Sequence, residues 1–250
     1  MVDAIELASF DAVMIEEVGP NYGDIISTDK HDGGNWTSGK VGIGQFYGSP
    51  WGLSAPVCAK EYPGVAAKDI TKDMALRVFD QNYYKPIGAA WFQGGLPLCT
   101  VDDAYNAGIY NAIKLINQCG ITSKSEPVQA IKDFSAARLS MYHHFSNWAR
   151  YGAAWGGRIG RIEGKSLRLC ANTPPAVIKA HSDKIQADAK NHVAKATTAA
   201  GATVGTHFTP ISGVFLYILI AILILAFIAF AINAIANNAR AKGLLEAINA

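Results

Sequence analysis

The chain has 250 residues, a formal net charge of +2 and 17% charged residues, below the ~25% usual for soluble domains. Near-neutrality excludes a purely electrostatic nucleic-acid binder, and the length suffices for one well-buried domain with appendages. The charge deficit is local, because no Asp, Glu, Lys or Arg lies between Lys195 and Arg240.

The first predicted helix runs from Asp3 to Val18 and is closed by Gly19-Pro20. On a wheel of ~100° per residue, Leu7, Phe10, Val13 and Met14 form one apolar arc. Glu17 falls about 30° from the centre of that arc and Glu16 about 130° away. Glu17 is therefore expected to be semi-buried and Glu16 to face solvent. A carboxylate on an apolar face loses hydration unless it is paired, protonated or working. This marks Glu17 as a candidate catalytic acid; a solvated helix end is the plain alternative.

Residues 19–68 read as a long, irregular, glycine-rich segment, and a loop of that size in a compact domain is usually functional. Within it, HDGGNWTSGKVGIGQFYGSPWGLSA (31–55) combines glycines, which let backbone approach a ligand, with aromatics suited to sugar rings. A second helix is predicted from Thr71 to about Asn82. A third follows Thr100, where TVDD has the form of a capping box, and runs to about Gln118. Ser125-Glu126-Pro127 opens a longer helix, with Val128, Ile131, Phe134, Leu139, Tyr142 and Phe145 at helical spacing. Residues 150–170 are basic and interrupted by glycines. Residues 182–195 read as a polar exposed helix, and 196–210 have the small, uncharged composition of a flexible linker.

The run VFLYILIAILILAFIAFAI, Val214–Ile232, spans roughly 28 Å as a helix, about the hydrocarbon thickness of a bilayer. The opening MVDAIELASF lacks the regions of a secretory signal, so a C-terminal anchor is expected. Arg240 and Lys242 after the span favour a cytoplasmic C-terminus. That orientation leaves the N-terminal part across the membrane with nothing to export it, unless the membrane belongs to a virus particle. The predicted plan is mainly α: a helical domain over 1–170, a polar helix and linker over 171–210, a transmembrane helix over 211–236 and a short tail over 237–250. The four cysteines show no metal-like spacing; two disulfides or four buried thiols both fit. His143 and His144 are adjacent on a helix, pointing about 100° apart, and read as structural. No metal or cofactor is expected.

Three ordered elements carry a resemblance: Glu17-Val18-Gly19, then Asp32-Gly33-Gly34-Asn35-Trp36-Thr37, then Gly52-Leu53-Ser54. Together they resemble the glycoside hydrolase family 108 muramidases, with their Glu-Gly-Gly, Asp-Pro-Gly-Gly-x-Thr and Gly-Ile-Ser/Thr pattern. Residues 70–86 look like that family's helix ending in Tyr-Trp, with Tyr84 for the Trp. Residues 101–117 look like its Asp-x-x-x-Asn-x-Gly helix, through Asp102, Asn106 and Gly108. Residues 148–162 look like its Gly-Trp-x-x-Arg segment, through Trp155 and Arg158, with Ala154 for the Gly. Val18 replaces a glycine, and the spacer before Asp32 is longer than the pattern.

The resemblance implies a lysozyme-like fold with a Gly-rich active-site loop. It also implies cleavage between N-acetylmuramic acid and N-acetylglucosamine in peptidoglycan, with Glu17 as the acid. Asp32 is the first candidate for the second carboxylate and Asp24 the next. Thr37, Tyr47, Trp51, Tyr105 and Asn106 are candidate substrate contacts. The expected partners are glycan strands, the bilayer through 211–236 and other virion or envelope proteins. The setting is a single-pass anchor in a virion membrane or a bacterial inner membrane facing the wall. A non-catalytic wall-binding protein and a structural virion membrane protein are the alternatives.

Overall fold

The computed structural model describes residues 3–23, 25–171, 173–204 and 213–249. Asp24, a candidate from the sequence, lies outside the described residues. The protein is mainly helical, with nine α-helices and one two-stranded ribbon among the described residues. It divides into two compact units, Met1–Ala130 and Ile131–Ala250, so the domain expected over 1–170 includes residues of both.

In the first unit, α1 (Ala4–Glu17) starts at Asp3, whose carboxylate accepts from the Glu6 N–H at 2.7 Å. Its buried residues are Glu6, Ser9, Phe10, Ala12, Val13 and Met14, whereas Leu7 is 39% exposed. The expected arc is thus turned by part of a residue step, because Glu6 rather than Leu7 enters the interior. Glu17 follows Val13 by four positions, on the face that buries Phe10 and Val13, yet its side chain is exposed. The helix stops there, so no further turn covers it. The expected semi-burial of Glu17 is corrected accordingly.

The helix α2 (Ala55–Glu61) lies in the segment expected to be irregular. Next, α3 (Lys72–Phe79) is capped by Thr71 and continues as a π turn over Asp80–Tyr84, closed by Lys85 N–H donating to Asp80 O at 2.9 Å. The helix α4 (Leu96–Ala107) begins a turn before the predicted cap. The Thr100 hydroxyl donates back to Leu96 O (2.9 Å) and Pro97 O (3.1 Å) instead of capping. Gly108, at φ +92°, ends α4 and starts α5 (Ile109–Gln118), so the one predicted helix is two. Phe10, Val13, Phe79, Leu96, Val101 and Ala104 form the centre of this unit's core.

Pro127 opens α6 (Pro127–Tyr142), with the Glu126 carboxylate accepting from the Val128 and Gln129 N–H groups. Phe145 lies beyond its end. The second unit continues with α7 (Trp148–Leu169), α8 (Pro175–Val204) and α9 (Gly213–Asn249). The glycines of residues 150–170 therefore sit within a helix. Residues 196–204 extend α8 rather than forming a linker, and residues 237–249 continue α9 rather than forming a loose tail. Part of α9, Ile224–Asn249, is long and apolar enough to cross a membrane. All four cysteines are thiols, with Cys58, Cys99 and Cys170 buried.

Glycine at every fourth position of α7 lets the α9 backbone approach closely. A Cβ would lie 2.3 Å from Ala236 O at Gly156, 1.9 Å from Arg240 O at Gly160 and 2.5 Å from Ala247 Cβ at Gly164. From the other side, a Cβ at Gly243 would lie 2.3 Å from Gly157 O. These glycines give up helix propensity of ~1 kcal/mol each relative to Ala in return for backbone contact.

Among these contacts Glu163 is wholly buried. Arg240 Nε and Nη2 donate to its two oxygens at 2.8 and 2.9 Å, and His181 Nε2 lies 2.8 Å from Oε1. Gly160→Ala is expected to destabilise the second unit by roughly 3 kcal/mol, because the clash is with backbone that cannot rotate away. Denaturant unfolding of the full chain in detergent, followed by tryptophan fluorescence, reads this directly.

Candidate functional site

The end of α1 gathers the site in the first unit. The strands Ile26–Ser27 (β1) and Ser49–Pro50 (β2) pair antiparallel, Ile26 opposite Pro50 and Ser27 opposite Ser49, and bring the loop back to its start. Buried Asn35 holds the loop together. Its Nδ2 donates to Asp29 O (2.9 Å) and Ser27 Oγ (3.2 Å), and its carbonyl accepts from the Tyr47 and Gly48 N–H groups.

After the ribbon comes a tight turn in which Leu53 N–H donates to Pro50 O at 2.8 Å, with φ +53° at Trp51 and +69° at Gly52. Two successive positive φ values are the mark of a type I′ turn. Glycine takes that conformation without strain; tryptophan does not. Three contacts hold Trp51 there. Its Nε1 donates to Ile70 O at 2.8 Å, its ring lies edge-on to Tyr22 at 5.7 Å, and it covers Gly23, where a Cβ would stand 3.0 Å from the indole.

This turn delivers Gly52 to the end of α1. A Cβ on Gly52 would meet Val18 at 3.2 Å, and Met14 and the Tyr105 hydroxyl at 3.4 Å. Tyr105 Oη donates to Gly52 O at 2.9 Å, and its ring lies 4.7 Å from that of Tyr83. The Tyr83 hydroxyl is pushed above its ordinary range by burial and then by the charge of Glu17. Glu17, Tyr83, Tyr105 and the Trp51–Gly52 turn thus form one cluster, with an exposed carboxylate at its edge.

Tyr83 was not among the residues singled out by sequence. The signal that could have found it is the extra residue of the π turn, a feature frequent at functional sites. It sends Tyr84 into the core, 1% exposed, and leaves Tyr83 half-buried beside Tyr105.

The other predicted residues are committed to the loop. Asp32 is exposed, and its Oδ1 accepts from the Gly34 N–H at 2.8 Å, capping the 3-10 turn Gly33–Asn35. Thr37 Oγ1 accepts from the Gln45 N–H at 2.9 Å, and the Tyr47 hydroxyl donates to Val65 O at 2.6 Å. Asn106 is exposed at the end of α4. Trp155 and Arg158 belong to α7, in the second unit; Trp155 lies 5.4 Å edge-on from Tyr142 and 5.8 Å from Phe145. His143 packs on Trp148 at 4.2 Å, and burial followed by neighbouring His144 lowers its pKa, in keeping with a structural role. No group of three or more His, Cys, Asp or Glu among the described residues could hold a metal ion.

A further carboxyl pair stands at the start of the π turn. Glu6 is 6% exposed and hydrogen-bonds to the Asp80 carboxylate at the start of the π turn; Asp80 also meets Lys85 Nζ at 2.5 Å. Burial first, and Asp80 second, push Glu6 from its ordinary 4.5 up to about 7. Compared with known proteins, the chain matches no family model, no curated sequence and no solved structure.

Because Glu6 binds its proton more tightly when folded, its contribution is fully present below the unfolded value of 4.5 and is lost as pH rises through about 7. Glu6→Gln, which mimics the protonated side chain, should match the parent near pH 4.5. At pH 8 it should exceed the parent by roughly 2–3 kcal/mol, at ~1.4 kcal/mol per pKa unit. Denaturant titrations of both full chains at the two pH values provide the check.

Proposed function

We propose that the chain is a membrane-tethered peptidoglycan hydrolase of the N-acetylmuramidase type, acting on cell wall during phage entry or lysis. The observation that carries this reading is the cluster at the end of α1. An accessible carboxyl, Glu17, stands beside two half-buried tyrosines and a backbone turn held open by Gly52. Glycosidic cleavage needs a proton on the leaving oxygen, and amphipathic rings beside that proton donor suit a pyranose. The ordered resemblance of residues 4–165 to the family 108 muramidases supports the same reading.

In this mechanism Glu17 donates the proton. A bound glycan strand removes water from around it, supplying the desolvation that the uncovered helix end does not. Tyr83 and Tyr105 line the sugar subsite, and Tyr105 also fixes the turn through Gly52. Thr37, Tyr47 and Trp51 hold the loop in shape, and Asn106 reaches the substrate from the end of α4. Asp32 is the candidate second carboxylate, acting on water or on the anomeric carbon. The apolar helix α9 keeps the enzyme at a membrane next to the wall.

A second reading, a wall-binding protein without hydrolytic activity, draws on one observation: Glu17 is exposed in this structure, where a general acid usually gains from burial.

The test uses the full chain in detergent, because α9 is part of the second unit and truncation before it would uncover α7. On purified peptidoglycan the parent should release new reducing muramic ends. Glu17→Gln should reduce that rate by at least ~100-fold, the scale of a lost general acid, while leaving binding to the wall in place. Equal binding without cleavage by both chains establishes the scaffold reading. Asp32→Asn separates its two roles, since Asn also caps a turn. A catalytic carboxylate predicts loss of rate with unchanged unfolding, and retained rate makes Asp32 a loop cap alone.

A further inference from the structure

The second unit carries an inference about how the chain meets the bilayer, independent of the enzymatic reading. Along the first half of α9, Ile222, Ile224, Leu225, Phe227, Ile228 and Phe230 are all exposed. At ~100° per residue they leave no gap wider than about 80° around the helix. A protein partner would cover one stripe; apolar residues on every side call for hydrocarbon.

The far end of the same helix is fixed to α7. Arg240 is bound through two hydrogen bonds to Glu163, Arg168 Nη1 donates to Ala247 O at 2.6 Å, and Gly160 lies against the Arg240 backbone.

In the same unit α8 runs antiparallel to α9. The Ser182 hydroxyl of α8 donates to Ala241 O at 2.8 Å, and Ala189, further along α8, lines a cavity with Phe230, Asn233, Ala234 and Asn237. Going forward along α8 is going backward along α9. Beyond Lys195, α8 has no charged residue, and before Arg240, α9 has none. The uncharged portions of both helices therefore lie at the same end. Lys195 is level with about Ile228 of α9, and from there back to Gly213 α9 covers about 22 Å, while the uncharged part of α8 from Ala196 to Val204 covers about 12 Å, so the pair enters part of a hydrocarbon core of ~30 Å.

We propose that the apolar part of α9 up to about Ile228 enters the bilayer together with the uncharged end of α8 as a helical hairpin, leaving α7 and the segment after Arg240 on one side of the membrane. A single crossing would carry Arg240 to the face opposite α7. That would separate it from Glu163 and leave a wholly buried carboxylate without its main counter-charge. The hairpin keeps the ion pair, satisfies both helical backbones internally, and places Arg240 and Lys242 on the side of α7.

The test is a double variant, Lys179→Cys with Lys242→Cys, in the full chain. Lys179 is exposed near the start of α8, and Lys242 is exposed on α9. The chain is bound to sealed phosphatidylcholine–phosphatidylglycerol vesicles, treated with a membrane-impermeant maleimide and read by intact mass. The chain without the two substitutions gives the background from native thiols. The hairpin predicts that each chain gains two labels or none above that background, whichever way it has inserted, and two after detergent opens the vesicles. One label per chain in sealed vesicles overturns the hairpin in favour of a single crossing. A chain that does not float with the vesicles overturns entry into the bilayer altogether.

Discussion

The second unit depends on the ion pair between Glu163 and Arg240. A carboxylate wholly removed from water is strongly disfavoured unless it is matched. Burial alone would drive Glu163 up; Arg240 and His181 reverse that and hold it below its ordinary range. The pair also sets register. Arg240 reaches both oxygens only when its own turn of α9 lies against Gly160, and a shift of one residue would bring side chains where Gly156 and Gly160 admit only backbone. Glycine contacts supply proximity, and the ion pair selects which turn meets which. His181 adds the third helix at the same carboxylate, and Ser182 bonds α9 one residue on.

The first unit builds its candidate site through two departures from regular backbone. One is the π turn at Asp80–Tyr84, which assigns neighbouring tyrosines to different tasks, Tyr84 to the core and Tyr83 to the site. The other is the left-handed pair Trp51–Gly52, where a bulky residue accepts strain so that a carbonyl can meet the Tyr105 hydroxyl. Strain in such a turn persists only when its surroundings over-determine it, and Trp51 is held by Ile70, Tyr22 and Gly23 together. Burial and the neighbouring Asp80 make Glu6 hold its proton more tightly at the base of the π turn, so pH acts on the scaffold under Tyr83 even though neither carboxyl lies at the cluster itself.

Much of this was legible in residue order. The cap at Asp3, the stop after Val18, the start at Thr71, the opening at Pro127 and the uncharged apolar run follow from local chemistry. The side of α1 on which Glu17 lies was legible too, because angle depends on sequence alone. Its depth was not, since exposure depends on what the rest of the chain brings over the helix end. Thr100 misled because a hydroxyl followed three residues later by an acid reads the same whether it caps a helix or bonds back within one. The glycines of α7 misled for a related reason: in isolation each weakens a helix, and only the backbone of α9 makes them favourable. The family resemblance implies functional roles for Asp32, Thr37 and Tyr47, and the structure shows each making a bond that shapes the loop.

The partners in the buried ion pair stand 77 positions apart along the chain, and the whole apolar run lies between them. Synthesis from the N-terminus therefore presents α7 with an unmatched carboxylate and a bare glycine face well before Arg240 exists. Until then the apolar run is exposed to water unless a partner or lipid covers it. Closure of so long a loop is slow and entropically opposed. In the hairpin proposed above, membrane entry is a step in folding, holding the two ends of the apolar run near each other so that Arg240 arrives where Glu163 is waiting.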